Sequence, residues 1–164
     1  MTMYESIRRA VSWLSDRVNR GVEGFLFVIG FGMAMLIGVQ VFCRYGLNHS
    51  LFWSEEIGRI CLVWISFLGA TAAYKRKAHI GIDVVVNRLP ERAARLCELI
   101  VLLLSSVFFV ILLVYGVAFI RFVWGQKTAA LGINQGIPYM ALPLSGALFL
   151  LHTADRLLGL FGDR

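Results

Sequence analysis

The chain has 164 residues, 59% of them hydrophobic, and a mean hydropathy of +0.74. Soluble domains hold roughly 45–50% apolar residues; here four apolar blocks of ~20 residues take up about half of the chain, which excludes a separate soluble catalytic domain. A net charge of +6 suits nucleic acid on a soluble surface, but these basic residues flank apolar blocks, so membrane orientation accounts for them and no nucleic-acid partner is expected.

Residues Glu5 to Arg20 have the pattern of an amphipathic helix. Ile7, Val11, Leu14 and Val18 share one face, and Arg8, Arg9, Ser12, Asp16, Asn19 and Arg20 take the others. A basic amphipathic helix just before a spanning segment is expected on the cytoplasmic membrane surface, with Trp13 beside its apolar stripe. Residues 1–21 form this leader. The apolar stretch that follows, Gly24 to Cys43, is 20 residues long. A signal-peptide core has roughly 7–15 and a small-residue cleavage site, which is absent here, so the stretch is expected to stay as the first span, over 22–43. Gly30, Ala34 and Gly38 repeat every four residues on one of its faces. Small residues let helix backbones approach in lipid, so this face is a candidate contact with another helix.

The second span is predicted over 54–74. It opens with Glu55, Glu56 and Arg59, whose three- and four-residue spacing places them on one helix face. Trp53 just before them suits the headgroup level. The structural reading is an interfacial ion-pair cluster that fixes helix depth and packs a neighbour; the alternative is a proton or ion relay. Relays usually lie deeper in a span, which favours the structural reading. The third span is predicted over 91–124, opening after Pro90, a residue suited to a helix start. The fourth is predicted over 138–158, because Gly132, Gly136, Pro138 and Pro143 interrupt the uncharged stretch before it. Residues 128–137 are then an irregular segment at the outer surface, and 159–164 a cytoplasmic tail.

The expected fold class is therefore all-α and integral to the membrane, with four transmembrane helices, an N-terminal amphipathic interfacial helix and both termini cytoplasmic. Orientation follows from the loops: with the N-terminus inside, twelve of the 16 Lys and Arg residues fall on the inner side.

Catalytic motifs are absent: no P-loop, HExxH, GxSxG or glycine-rich dinucleotide turn occurs. No Asp, Glu, Lys, Arg or His falls in the middle of any span, so a substrate or coupling-ion site at the centre of this chain alone is not expected. Cys43, Cys61 and Cys97 lack CxxC spacing and read as small apolar fillers, with no metal or redox role. His49 lies in an outer loop, His79 in the inner loop and His152 in the inner third of the last span. They do not form the pair at matched depth that a membrane haem needs, and they read as solvated or interface histidines. No cofactor is expected. Two rival classes are a membrane anchor of a redox enzyme and a small multidrug exporter. The exporter needs a carboxylate inside a span, and Glu23 lies too near the cytoplasmic end.

Four segments together resemble a known family. They are Gln40-Val-Phe-Cys-Arg44-Tyr45, Trp53-Ser-Glu55-Glu56-Ile-Gly-Arg59, Trp64-Ile-Ser-Phe-Leu-Gly69-Ala70 and His79-Ile-Gly-Ile-Asp83. With Gly125-Gln-Lys-Thr128 and Ile137-Pro138-Tyr139 they are similar in order and spacing to the small permease subunit of TRAP (tripartite ATP-independent periplasmic) transporters, the DctQ-like family. The resemblance implies a bacterial inner-membrane protein without enzymatic activity. Its partners would be a large permease subunit carrying the sodium and substrate sites, a periplasmic solute-binding protein and membrane lipids. Substrates would be organic acids, such as C4-dicarboxylates or sialic acid, taken up with sodium. Carried over, Trp53, Glu55, Glu56 and Arg59 form the structural cluster at the outer face. Trp64, Gly69 and Ala70 pack against the large subunit, and His79 and Asp83 shape the inner loop. Ile133-Asn134-Gln135-Gly136 is less apolar than the family pattern.

Overall fold

The computed structural model describes residues 3–49, 51–76 and 90–162, with no side-chain placement at 91, 92, 161 and 162. His79 and Asp83 lie outside the described residues. The described chain forms α1 (Met3–Gly46), α2 (Phe52–Lys75), α3 (Glu91–Val123), the single turn α4 (Gly136–Tyr139) and α5 (Ala141–Gly162). Four helical stretches are long and apolar enough to cross a membrane. Both termini lie at one end of the bundle, where the Tyr4 hydroxyl donates to the Leu158 carbonyl at 2.6 Å. The connections around residues 47–51 and 124–140 lie at the other. We call these the termini end and the loop end.

The amphipathic leader is helical, but it is not a separate element. Residues 3–46 form one unbroken helix, ~66 Å long at 1.5 Å per residue, about twice the hydrocarbon thickness. Nothing between Asp16 and Gly24 forces a break, because no proline occurs there and the residue types are compatible with helix. Along the span, the inward positions of α1 are Val22, Leu26, Ile29, Met33, Leu36, Gln40 and Cys43. Their alternating four- and three-residue steps form a coiled-coil-like seam against α2.

Two cores hold the bundle. Val22 of α1 packs with Leu68 and Ala72 of α2, and Leu26, Trp64 and Leu148 close around them. On the other side of α5, Phe109 of α3 stacks on Phe149 of α5 with centroids 4.3 Å apart, and Tyr74 of α2 stands edge-on to both rings. Helix α5 is thus central, touching α1, α2 and α3. Its closest approach is to α3 and needs two glycines. A Cβ on Gly146 would meet the Leu113 backbone nitrogen at 2.9 Å, and one on Gly116 would meet the Pro143 nitrogen at 3.0 Å. Small residues set this spacing because van der Waals contact, not water exclusion, joins helices in lipid.

The small-residue face proposed on α1 has a different setting. A Cβ added at Gly30 or Gly38 would meet nothing within 4 Å, and Ala34 is exposed. Among the described residues no other helix comes within contact of a Cβ at either glycine.

The last span begins as two helices. Pro138 falls in the first turn of α4, where its missing N–H costs nothing. Pro143 lacks the amide that would bond the Tyr139 carbonyl four residues back, and the break between α4 and α5 falls there, at Met140. Hydroxyls within the spans satisfy themselves locally: buried Thr71 and Ser145 donate to the Leu68 and Leu142 carbonyls, and half-buried Ser106 to Leu102. Such back-bonding is what a polar group needs where lipid offers no partner.

Candidate functional site

Polar chemistry is concentrated at the two ends of the bundle. At the termini end, Lys75 closes α2 and gives its ammonium three acceptors: Ser15 Oγ at 2.8 Å, Asp16 Oδ1 at 2.9 Å and Asp155 Oδ2 at 2.6 Å. A lysine ammonium has three donors and no acceptor, so this one is saturated by α1 and α5 together. Ser15 Oγ accepts from Lys75 and directs its own hydrogen to His152 Nδ1 at 2.8 Å. Nδ1 is then the acceptor, and the imidazole proton sits on Nε2. His152 is fully buried, which corrects the expectation of a solvated or interface histidine. The reason is the leader: by running on as α1, it lays Ser15 over the ring.

Around this hub, Tyr74 shares a 3.0 Å hydrogen bond with Thr153, whose hydroxyl also lies 2.7 Å from the Phe149 carbonyl. Arg156 sits over the Tyr74 ring at 5.5 Å and reaches Glu98 of α3 at 3.4 Å. Two turns further into α1, Glu23 pairs with Arg76 at 2.7 Å and accepts from Asn19 at 2.8 Å. The cluster joins all four spanning helices. Sequence reasoning used Lys75, Arg76 and Arg156 only to set orientation, took Asn19 as part of the leader's solvated polar face, and passed over Ser15. The available signal was Ser15, Asn19 and Val22 recurring at helical steps beside, not within, the apolar stripe.

At the loop end, residues 124–135 fold into a tight hairpin rather than an irregular segment. Lys127 and Asn134 form an antiparallel bridge, and Thr128 N–H donates to the Ile133 carbonyl at 2.9 Å. Gly132 turns the chain with φ +66°, a conformation glycine adopts without steric cost. Asn134 organises the exit. Its Nδ2 donates to the Trp124 carbonyl, and its Oδ1 accepts the Gly136 amide at 2.7 Å, ahead of α4. The polar Asn134 that departs from the family pattern is therefore the residue that shapes the turn.

Glu56 fastens this hairpin to α2. Its Oε2 accepts the Ala130 amide at 2.7 Å and the Leu131 amide at 3.2 Å. Among the described residues, Arg59 forms no ion pair with Glu55 or Glu56. The expected ion-pair cluster is instead a latch plus a free cation. The loop donors converge on Glu56, whereas Arg59 is exposed to water, where a surface ion pair gains little. Glu55, Arg59 and Lys127, with Gln135 and Tyr139, line an open cleft of about 420 Å³ between α2 and the hairpin. Trp53 is half-exposed at its edge of the bundle. Replacing Glu56 with Ala is expected to raise hydrogen–deuterium exchange at the Ala130 and Leu131 amides to that of open loops, while α2 keeps its protection. Unchanged exchange at those two amides would dismiss the latch.

Trp64 does not point away from the chain. It packs on the Val22 cluster and edge-on to Phe25 of α1, 5.8 Å away, and is half-buried by these contacts within the chain. Gly69 has open space around it and Ala70 is exposed. Among the described residues no group of three His, Cys, Asp or Glu side chains is arranged to hold a metal.

The sequence profile of the DctQ component of tripartite ATP-independent periplasmic transporters matches residues 33–163. A small permease protein assigned to a TRAP transporter in Haemophilus influenzae is 29% identical over 137 residues, covering 82% of this chain and 84% of that protein. The C4-dicarboxylate TRAP transporter small permease DctQ of Vibrio cholerae is 30% identical, with 84% of this chain and 71% of that protein covered. The isethionate TRAP transporter permease DctMQ of Oleidesulfovibrio alaskensis is 27% identical over 94% of this chain, but the chain spans only 25% of that protein's length. With a profile match over most of its length and four apolar spans, the chain belongs to the DctQ component family of the TRAP transporters, as a multi-pass membrane subunit for transport and not an enzyme.

Proposed function

We propose that this chain is the fixed scaffold subunit of a sodium-coupled TRAP transporter in the bacterial inner membrane. It imports an organic acid delivered by a periplasmic binding protein, and a separate large permease subunit carries the substrate and sodium sites. The observation that supports this most is the match to one quarter of a longer permease. The remainder of that permease lies outside the match, which supports a large permease portion acting beside this one. The relatives' names differ in substrate, C4-dicarboxylate in one and isethionate in another. Both are organic anions, and the spans of this chain have no charged group at mid-depth, which favours a substrate site on the large subunit.

The Gly30, Ala34 and Gly38 stripe, with Gly69 and Ala70 on α2, is the surface we assign to the large subunit. The basic residues at the termini end support a cytoplasmic position for both termini under the positive-inside rule. The cleft of Glu55, Arg59 and Lys127 then faces the periplasm and the binding protein.

Purification of the tagged chain from bacterial membranes in mild detergent tests this. One large, many-helix permease is expected in stoichiometric amount. Gly30→Leu with Gly38→Leu should reduce that recovery severalfold while leaving the chain's own melting temperature unchanged. Isolation of the chain alone, as monomer or homodimer, would sink the scaffold reading.

A further inference from the structure

The His152 ring is fully buried, and so is the Ser15 hydroxyl that bonds it. Lys75 occupies the serine oxygen from another side at 2.8 Å. An ammonium has no acceptor to offer, so the Ser15 hydrogen turns to Nδ1 and the ring keeps its single proton on Nε2. Among the described residues Nε2 is buried and has no partner. Asn19 Oδ1, one turn along α1 from Ser15, is also buried and unpartnered. Its amide is held by Glu23, however, and the two groups do not bond.

A second proton on this ring has no good place. It would go to Nδ1, which faces a serine oxygen already taken by Lys75. The Ser15 hydrogen would have to swing away, and one oxygen would stand between two cations. The other N–H of the imidazolium would stay buried without an acceptor, and an unmet hydrogen bond costs more for a charged group than for a neutral one. Asp16 of α1 and Asp155 of α5 face the same corner, both turned to Lys75, at 2.9 and 2.6 Å. The three leave one negative charge in surplus, which favours an imidazolium. That surplus rests mainly on Asp16, whose side chain is 56% exposed, so water screens it. The missing acceptors lie in the low-dielectric interior, where they weigh more. The other charged groups nearby are paired with one another, Glu23 with Arg76 and Glu98 of α3 with Arg156. Tyr74 of α2 is bonded to Thr153.

We propose that His152 is a proton-sensitive latch for the N-terminal part of α1. When the ring takes up a second proton, Ser15 is released, and residues 3–21 loosen from α2 and α5 while the spans stay packed. The helix has a place to yield: Gly21 and Gly24 have open space around them, and after proline glycine weakens a helix interior most. The latch belongs to this chain alone and rests on neither the transported substrate nor the large subunit.

The test is hydrogen–deuterium exchange of the full chain in mild detergent, with His49 and His79 changed to Gln so that His152 is the only imidazole. Rates are corrected for the intrinsic effect of pH on exchange. Protection of the amides of residues 11–21 is expected to stay level from pH 7.5 down to about 6.5, the ordinary histidine pKa. Below that it should fall by up to about tenfold per pH unit, as one-proton linkage allows, while the amides of α3 keep theirs. His152→Gln, whose carboxamide accepts from Ser15 but takes no proton, should show no such fall. Level protection down to about pH 5, a rise towards acid, a fall shared by α3, or an equal fall in His152→Gln would each overturn the latch. If His152→Gln leaves the segment unprotected at every pH, the onset in the chain that keeps His152 decides. A fall that begins near 6.5 belongs to the imidazole; one that begins only below about 5 belongs to Asp16 or Asp155 and overturns the proposal.

Discussion

Replacing Lys75 with Met is expected to lower the stability of the detergent-solubilised chain by about 3 kcal/mol, the lower end for breaking a buried charge pair by removing one partner. The ammonium is the vertex at which α1, α2 and α5 meet, through Ser15, Asp16 and Asp155. Lys75 and Asp155 side chains are 18% and 16% exposed. Asp155 therefore bears most of the cost when its partner is lost, whereas Asp16 is 56% exposed and recovers water. Two further variants separate charge from geometry. Lys75→Met combined with Asp155→Leu should regain much of the loss, because no uncompensated carboxylate is left behind. Lys75→Arg should regain little, since a planar guanidinium fork cannot direct single donors at three acceptors arranged around an ammonium. Denaturant unfolding followed by circular dichroism measures all three. Hydrogen exchange adds a local readout: in Lys75→Met the amides of residues 3–21 should lose protection before those of the span. If all three variants unfold with the parent, the hub holds nothing together.

The four spans were legible because each is a run of apolar residues long enough to cross a bilayer, and composition alone reports that. The ends of α3 were legible from Pro90 and the charged residues at its start. The termini-end cluster was not. Ser15, Asn19, Lys75 and His152 come from three helices, and their meeting depends on the rotation of α1 about its axis. An unbroken helix from residue 3 to 46 fixes that rotation; a leader lying flat on the membrane would have set it differently. Glu56 and Arg59 were correctly placed on one helix face. Spacing along a helix, however, cannot reveal a competing partner 74 residues away, the Ala130 amide. Glycine usage is no guide to contacts within the chain. Among the described residues a Cβ at Gly30 or Gly38 would meet nothing, while the isolated Gly116 and Gly146 set the tightest helix contact. A stripe repeats where a straight helix lies along it. A crossing point needs only one small residue on each side.

That leaves the loop-end cleft as the place where a change in charge should alter transport without altering the fold. Arg59→Glu with Lys127→Glu is expected to raise the concentration of binding protein needed for half-maximal uptake by about tenfold, the low end for electrostatically steered association. Neither side chain has an ion pair among the described residues, and both line the cleft. Their reversal therefore breaks no ion pair and removes only the through-space attraction of Arg59 for Glu56, so the melting temperature should fall little and recovery of the large subunit should stay as in the parent. The plateau of uptake at saturating binding protein should also hold, because exposed charges at the rim of an interface govern encounter more than the bound state. Raising the salt concentration should narrow the gap between parent and variant as the Debye length shortens. Glu56→Ala supplies the contrast. It leaves both cations in place but frees the hairpin that carries Lys127, so it should weaken uptake with little change in salt dependence. A charge-reversed transporter with parental response to binding protein at low salt would remove the cleft from the docking surface, and the large subunit would then have to supply that surface alone.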